Sequence, residues 1–342
     1  MPARATRVLV INGTGATFTG AVAAAVEVLR AGGVVAIPTE TVYGLAGRGL
    51  DETAVRAIYA AKGRPSDNPL ILHVGDPDAA WPLFDLDDGA RERARILAER
   101  FWPGPLTIVG DASSVVPDAP RAGLPRVAVR VPAHPFARAL ARALGEPFAA
   151  PSANVSGRPS PTTARDVLLT LDRRIDLVVD GGPCRAGIES TVVDVSGPRP
   201  RLLRPGALSL LEIRHVLPDL DVRAPGTAAH ASDASPGLRH RHYAPAVDGT
   251  ALAQRPALAA AWTDGDAGVV VRAQTARALG PRAGFCATLP DDPAGFAREL
   301  YAALYRAENA RPRRLLLEEP PPPTGDDDPW AAVRDRLLRA SA

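Results

Sequence analysis

DETAVRAIYAAKGRPSDNPLILHV, residues 51–74, holds the reading that decides the fold class. Asp51 is placed to cap a helix, Gly63 to stop it, and PLILHV follows as an apolar run short enough for a buried strand. Lys62 falls in the last helical turn. It is the one lysine in the chain, although Lys and Arg together number 40. The composition favours Ala, Arg, Pro and Gly, a bias that exchanges Lys for Arg wherever either serves. A surviving lysine therefore marks a place where a compact, mobile point charge is needed.

Working outward, the same alternation of strand and helix continues in both directions. Towards the N-terminus RVLVI and GVVAIPT read as strands, with the helix GAVAAAVEVLRAGG between them. Towards the C-terminus LTIVG, RVAVRVP, PFAAPSA, IDLVVDGG and STVVDVSG read as strands, with helices such as GARERARILAERFWPG, HPFARALARALG and TTARDVLLTL among them. This is an α/β pattern. Near Pro218 the texture becomes rich in Ala, Pro, Ser and Gly without a period, which reads as a linker. Beyond it AGVVVRA and RLLLEE read as strands, and DDPAGFARELYAALYRAENA as a helix capped by Asp292 with Pro293 in its first turn. The expected organisation is a catalytic domain over 1–217, a linker over 218–246, and a smaller Rossmann-like α/β domain over 247–342.

The 342 residues allow two domains, and 46% hydrophobic with 23% charged residues is the balance of a globular protein. A net charge of +2 with 5% aromatics argues against a generic nucleic-acid binder. No apolar run approaches the roughly 20 residues of a membrane span, and no signal-peptide core is present. Cys184 and Cys286 read as reduced thiols of a cytoplasmic protein.

Several motifs fail on inspection. GTGATFTG, residues 13–20, follows a strand, but the third glycine of a dinucleotide fingerprint falls on Phe18, leaving a turn and helix cap. Gly63 follows Lys62 rather than preceding it, so no phosphate-binding loop of the Walker kind exists. The histidines lack HExxH or zinc spacing; His240 and His242 only flank Arg241, and no metal site is expected. No G-x-S-x-G occurs.

Five segments carry more than a scaffold requires. PTETVYGLAG groups hydroxyls with an acid at a strand end. KGRPSDNPLILH has two cations and Asn68 before a strand. RVAVRVP sets Arg130 in an apolar strand. APSANVSGRPSPTT is a polar loop fixed by Gly and Pro. GIESTVVDVSG with RLLRPG adds strand hydroxyls and Arg204. Singly, such residues also cap helices and close turns, as Thr162 or Thr163 can before ARDVLL. Together, cations with amide and hydroxyl donors at strand ends suit a polyanion such as a nucleoside triphosphate. A buried Arg130 needs an anionic partner, and a substrate carboxylate would serve.

GGVVAIPTETVYGLA, KGRPSDNPLILHV, FWPGPLTIV, VAVRVPAHP, PSANVSGRPSPTT, GIESTVVDVS and LLRPGALS, in this order, resemble the YrdC family. SPGLRHRHYAPA resembles the interdomain linker of its longer, two-domain branch. The likeness runs from about Gly20 to Pro245, and the C-terminal part matches in placement and type only. It implies a YrdC-like twisted sheet with a concave basic groove, and the synthesis of L-threonylcarbamoyl-AMP from L-threonine, bicarbonate or carbon dioxide, and ATP. Pyrophosphate would leave, and Mg2+ would arrive with ATP. The product would pass to a separate tRNA threonylcarbamoyl transferase, with no stable nucleic-acid complex required. By position, Thr41, His73, Arg130 and Ser190 would hold threonine. Arg64, Asn68, Ser152, Asn154, Thr162 and Arg204 would hold ATP, and Tyr243 would close over the nucleotide. Lys62 and Arg64 would act on the phosphates. Arg126, where some members carry a small polar residue, is left out. The rival readings are a non-catalytic RNA-binding module and the related hydrogenase-maturation enzymes, whose zinc-finger CxxC pairs this chain lacks. The C-terminal domain and linker are expected to form a lid.

Overall fold

A computed structural model describes residues 5–222, 243–264, 267–281, 284–323 and 327–341. Most of the expected linker, with His240 and His242, lies outside the described residues.

The first domain holds strands β1 (Arg7–Val10), β2 (Val35–Ile37), β3 (Gly44–Arg48), β4 (Ile71–His73), β5 (Leu106–Asp111), β6 (Arg126–Arg130), β7 (Phe148–Ala149), β8 (Leu177–Asp180), β9 (Thr191–Asp194) and β10 (Arg201–Arg204). Its helices are α1 (Ala16–Arg30), α2 (Glu52–Lys62), α3 (Asp88–Phe101), α4 (Asp118–Arg121), α5 (Pro135–Leu144), α6 (Ala164–Leu171) and α7 (Leu210–Val216). The strands form one mixed sheet in the order β1-β8-β2-β3-β7-β4-β6-β5-β9-β10.

Strand alternation explains how this sheet is covered on both faces. Val35, Ile37, Leu177 and Val179 pack with Val22 and Leu29 of α1 and Phe136 and Leu140 of α5. Val34, Ala36 and Val178 point the other way, into a core shared with Ile58 of α2 and Leu97 of α3. The quoted stretch folds as read. Asp51 accepts from the N–H groups of Thr53 and Ala54, and Gly63 ends α2 at φ +59, a left-handed position that favours glycine.

Two strands of this domain, β3 and β10, were not expected. After Ile37 the chain turns through Thr39–Thr41 and returns as β3, antiparallel to β2. RLLR forms β10, antiparallel to β9. A bridge from Arg201 to Asp221 then ties residues past the expected boundary at 217 to the edge of this sheet.

The C-terminal domain contains β11 (Thr250–Ala253), α8 (Arg255–Asp264), β12 (Ala267–Arg272), α9 (Ala273–Leu279), β13 (Cys286–Leu289), α10 (Pro293–Ala310), β14 (Arg314–Glu318) and α11 (Ala331–Ala340). Its sheet is parallel throughout, in the order β11-β14-β12-β13. One apolar cluster crosses between the domains. Val42, Ile188 and Tyr243 join Phe296, Leu300, Tyr301, Leu304 and Leu337 in it. No helix among the described residues is long and apolar enough to cross a membrane.

Candidate active site

The strand order brings distant residues to one place. His73 ends β4 and lies in register with Arg130, which ends β6. Ser190 precedes β9, and Arg204 ends β10. Thr41 sits in the turn between β2 and β3. That turn is knitted by Thr39, whose hydroxyl donates to the Val42 carbonyl at 2.6 Å and accepts the Thr41 N–H. Thr41, Arg64, His73, Arg130, Ser152, Ser190, Arg204 and Tyr243 line a single cavity of about 60 Å³. Glu189 lines it as well.

Arg130 is buried, and its donors are well defined. Nε donates to the Gly104 carbonyl at 3.1 Å, Nη1 to the Thr41 hydroxyl at 3.0 Å, and Nη2 to Glu40 at 2.5 Å. Glu40 is therefore the anionic partner that the sequence reading had left to a substrate carboxylate. Burial pushes the Glu40 carboxyl up, but Arg130 outweighs it and holds the group below its usual range. A guanidinium carries five N–H donors; beyond these three bonds, two remain for a bidentate anion.

His73 stacks on Phe148 with ring centroids 5.2 Å apart and planes 4° from parallel. Its Nδ1 donates to the Ile71 carbonyl at 3.1 Å, which leaves Nε2 as an acceptor. Burial and the nearby Arg130 push its pKa down to about 3, so it stays neutral at working pH. In an unfolded chain the same group takes a proton near pH 6.5. Stability from this group is thus complete above pH 6.5 and is lost as pH falls towards 3. Denaturant unfolding at pH 7.5 and 5.5 is expected to show about 1.4 kcal/mol lost through His73, a difference that His73→Asn removes. An unchanged pH dependence in the variant would contradict the assignment.

Arg64 donates to the carbonyls of Asn68 at 3.2 Å and Pro69 at 3.0 Å. Burial pushes its pKa down to about 10, still charged at neutral pH. Arg204 donates to the Ser190 carbonyl at 2.9 Å. The Ser190 hydroxyl also bonds Thr107 at 2.8 Å.

Four expected residues do not line the cavity. Lys62 is buried, and its ammonium donates to the carbonyls of Ser152 at 2.5 Å and Asn154 at 2.6 Å. Those two bonds hold the backbone of the 152–158 loop. Asn154 spends its amide on the carbonyls of Val155 and Arg158, both at 2.8 Å. The Thr162 hydroxyl donates to Asp166 in the network that starts α6, and Thr163 is the residue that caps it. Asn68 is buried, and its carbonyl accepts from Arg64 and Tyr59. These side chains shape the loops around the cavity. Arg126 lies elsewhere, paired with Asp194 at 3.2 Å.

The sequence reading missed Glu189, which is buried in the cavity wall. Ser160 donates to it at 2.5 Å, the Tyr301 hydroxyl at 3.0 Å, and Arg336 at 2.8 Å. Burial pushes its carboxyl up, yet Arg336 and Arg204 outweigh this and hold it at about 2. Its only sequence signal was one acid between an apolar residue and two hydroxyls.

Comparison with known proteins identifies the family and the fold. Residues 27–206 match the Sua5/YciO/YrdC family profile, described as "Telomere recombination", and residues 208–342 match "Threonylcarbamoyl-AMP synthase, C-terminal domain". The threonylcarbamoyl-AMP synthase of Pyrococcus abyssi is 46% identical over 222 residues, and that of Bacillus subtilis 48% over 228. These matches cover 64% and 66% of this chain and 64% of each relative's own length. The crystal structure of P. abyssi Sua5 complexed with L-threonine superposes with a TM-score of 0.86 at 35% identity, covering 98% of this chain and 97% of that one.

Proposed function

Since the chain belongs to the Sua5/YciO/YrdC family, in its two-domain form, we infer that it makes L-threonylcarbamoyl-AMP from L-threonine, bicarbonate or carbon dioxide, and ATP, releasing pyrophosphate. The observation that carries this reading is the single cavity. It brings a carboxylate clamp (Arg130, Thr41, with neutral His73 and Ser190) together with two buried cations, Arg64 and Arg204. The cations are buried in a pocket rather than spread over a broad face, which speaks against an RNA-binding module.

Threonine's carboxylate would take the two remaining donors of Arg130, and His73 Nε2 would accept a hydrogen bond from its hydroxyl or amine. The amine nitrogen bonds to the carbon of carbon dioxide and sheds a proton, giving a carbamate. A carbamate oxygen then attacks the α-phosphorus, and pyrophosphate leaves with the electrons of the broken P–O bond. Such a transfer asks for positioning and charge neutralisation, which Arg64 and Arg204 supply. Ser152 and Tyr243 would border the nucleotide. A ligand of this size needs a pocket of roughly 300 Å³ or more, so the cavity must widen for ATP to enter.

The one carboxylate among the described lining residues, Glu189, has both oxygens engaged. Magnesium would arrive with the triphosphate. The product would go to a separate transferase acting on tRNA. The test is pyrophosphate release by the purified protein: it is expected only when threonine and bicarbonate are both present. Release from ATP alone would refute the reading.

A further inference from the structure

We propose that the C-terminal domain completes the nucleotide half of the cavity, with Arg336 and Tyr301 acting as positioning residues that hold Glu189 and Tyr243 in place. This rests on the synthase reading above and assigns the second domain a part in it.

Glu189 is an anomaly in a pocket meant for phosphates. A carboxylate there repels the ligand and competes for Arg204, which lines the same cavity. Two of the three side chains that donate to it come from the C-terminal domain. Arg336, on α11, is completely buried and forms an ion pair with Glu189 at 2.8 Å. It also donates to the Pro205 carbonyl, next to Arg204, at 2.9 Å, and to Asp335 at 2.7 Å. Arg339 in turn bonds Asp335 at 2.9 Å. Because Arg336 neutralises Glu189, Arg64 and Arg204 keep their charge for a ligand.

The same residues fix Tyr243. The Arg336 guanidinium lies 5.4 Å from the centre of its ring, within cation–π range, and the Tyr301 ring lies 5.5 Å away. The outer side of this wall is thus built by the second domain.

Helix α10 makes the arrangement rigid. Arg298, Tyr301, Tyr305 and Glu308 recur at helical spacing and share one face. They meet, in turn, the Arg185 carbonyl, Glu189, the Pro159 carbonyl and Arg158. One helix face therefore grips both loops that wall the nucleotide end. Over the described residues, the C-terminal domain thus buttresses these loops.

The test uses the full chain with four variants: Arg336→Met, Glu189→Gln, the double variant, and Tyr301→Phe, which keeps the ring and removes only the hydroxyl. Affinity for a non-hydrolysable ATP analogue and for threonine is measured separately by calorimetry, beside the two KM values. Arg336→Met is expected to weaken analogue binding about tenfold or more, the scale of one lost charge-assisted contact, with threonine changed by no more than about twofold. The double variant is expected to recover most of the loss, because no bare carboxylate remains. Tyr301→Phe is expected to shift the analogue in the same direction by a smaller factor, and it carries the test if Arg336→Met does not fold. Equal shifts for both ligands, or a double variant no better than Arg336→Met, would overturn the proposal. Wild-type protein that binds the analogue yet releases no pyrophosphate would refute the synthase reading while these binding comparisons still judge the proposal.

Discussion

Arg130→Ala is expected to raise the threonine KM by about a hundredfold or more while the ATP KM moves by no more than about twofold, since two charge-assisted bonds of roughly 1.5–3 kcal/mol each would be lost. Steady-state pyrophosphate release with each substrate varied in turn reads the split. Equal rises in both constants would remove Arg130 from the carboxylate clamp. The substitution also strips Glu40 of its partner at 2.5 Å, and a buried charge left alone costs about 3–5 kcal/mol of stability. Arg130→Ala with Glu40→Gln separates the two effects. The double variant should regain stability in denaturant and remain defective for threonine.

Lys62 is the second. Its ammonium satisfies two loop carbonyls from a position 1% exposed. Lys62→Met leaves both carbonyls without their donor, at about 1–3 kcal/mol each. Chemical denaturation is expected to register a loss of that order. Pyrophosphate release should fall by about two powers of ten, because Ser152 and its neighbours would no longer be held against the cavity. Lys62→Arg should fare little better: a planar guanidinium is larger than the slot that holds the ammonium between Ser152 and Asn154. Burial and Arg64 already push the Lys62 pKa well down, so a second permanent guanidinium charge beside Arg64 is disfavoured. Near wild-type activity in Lys62→Arg would refute this account. The lone lysine was read as a mobile charge at the phosphates; the structure gives its ammonium two carbonyl partners on the neighbouring loop.

That contrast shows what the chain discloses locally and what it does not. Asp51, Gly63, Asp292 and Pro293 act on neighbours within a few residues, so α2 and α10 were legible. The capping pair Ser209 and Glu212 carried the same kind of signal for α7, which passed unnoticed. β3 was missed because GLAGR has little strand character of its own; its pairing with β2 and β7 creates it. Site residues at strand ends, such as His73, Arg130 and Arg204, could be named from motif and polarity. Whether a polar side chain faces the cavity or braces a loop, as Asn154 and Thr162 do, depends on loop geometry. Glu40, Glu189 and Arg336 become meaningful only through partners far along the chain, and no local pattern announces such pairs.

The strand order has a kinetic consequence. Ile71 pairs with Ala128, Leu106 with Thr191, and Arg7 with Leu177. Each pairing closes a long loop before it gains a contact, which makes for slow folding. Partly folded chains would therefore have helices such as α2 in place but no assembled pocket. Substrates bind only the finished arrangement and can stabilise it only once it exists, so added threonine or ATP should slow unfolding while leaving the rate of refolding nearly untouched.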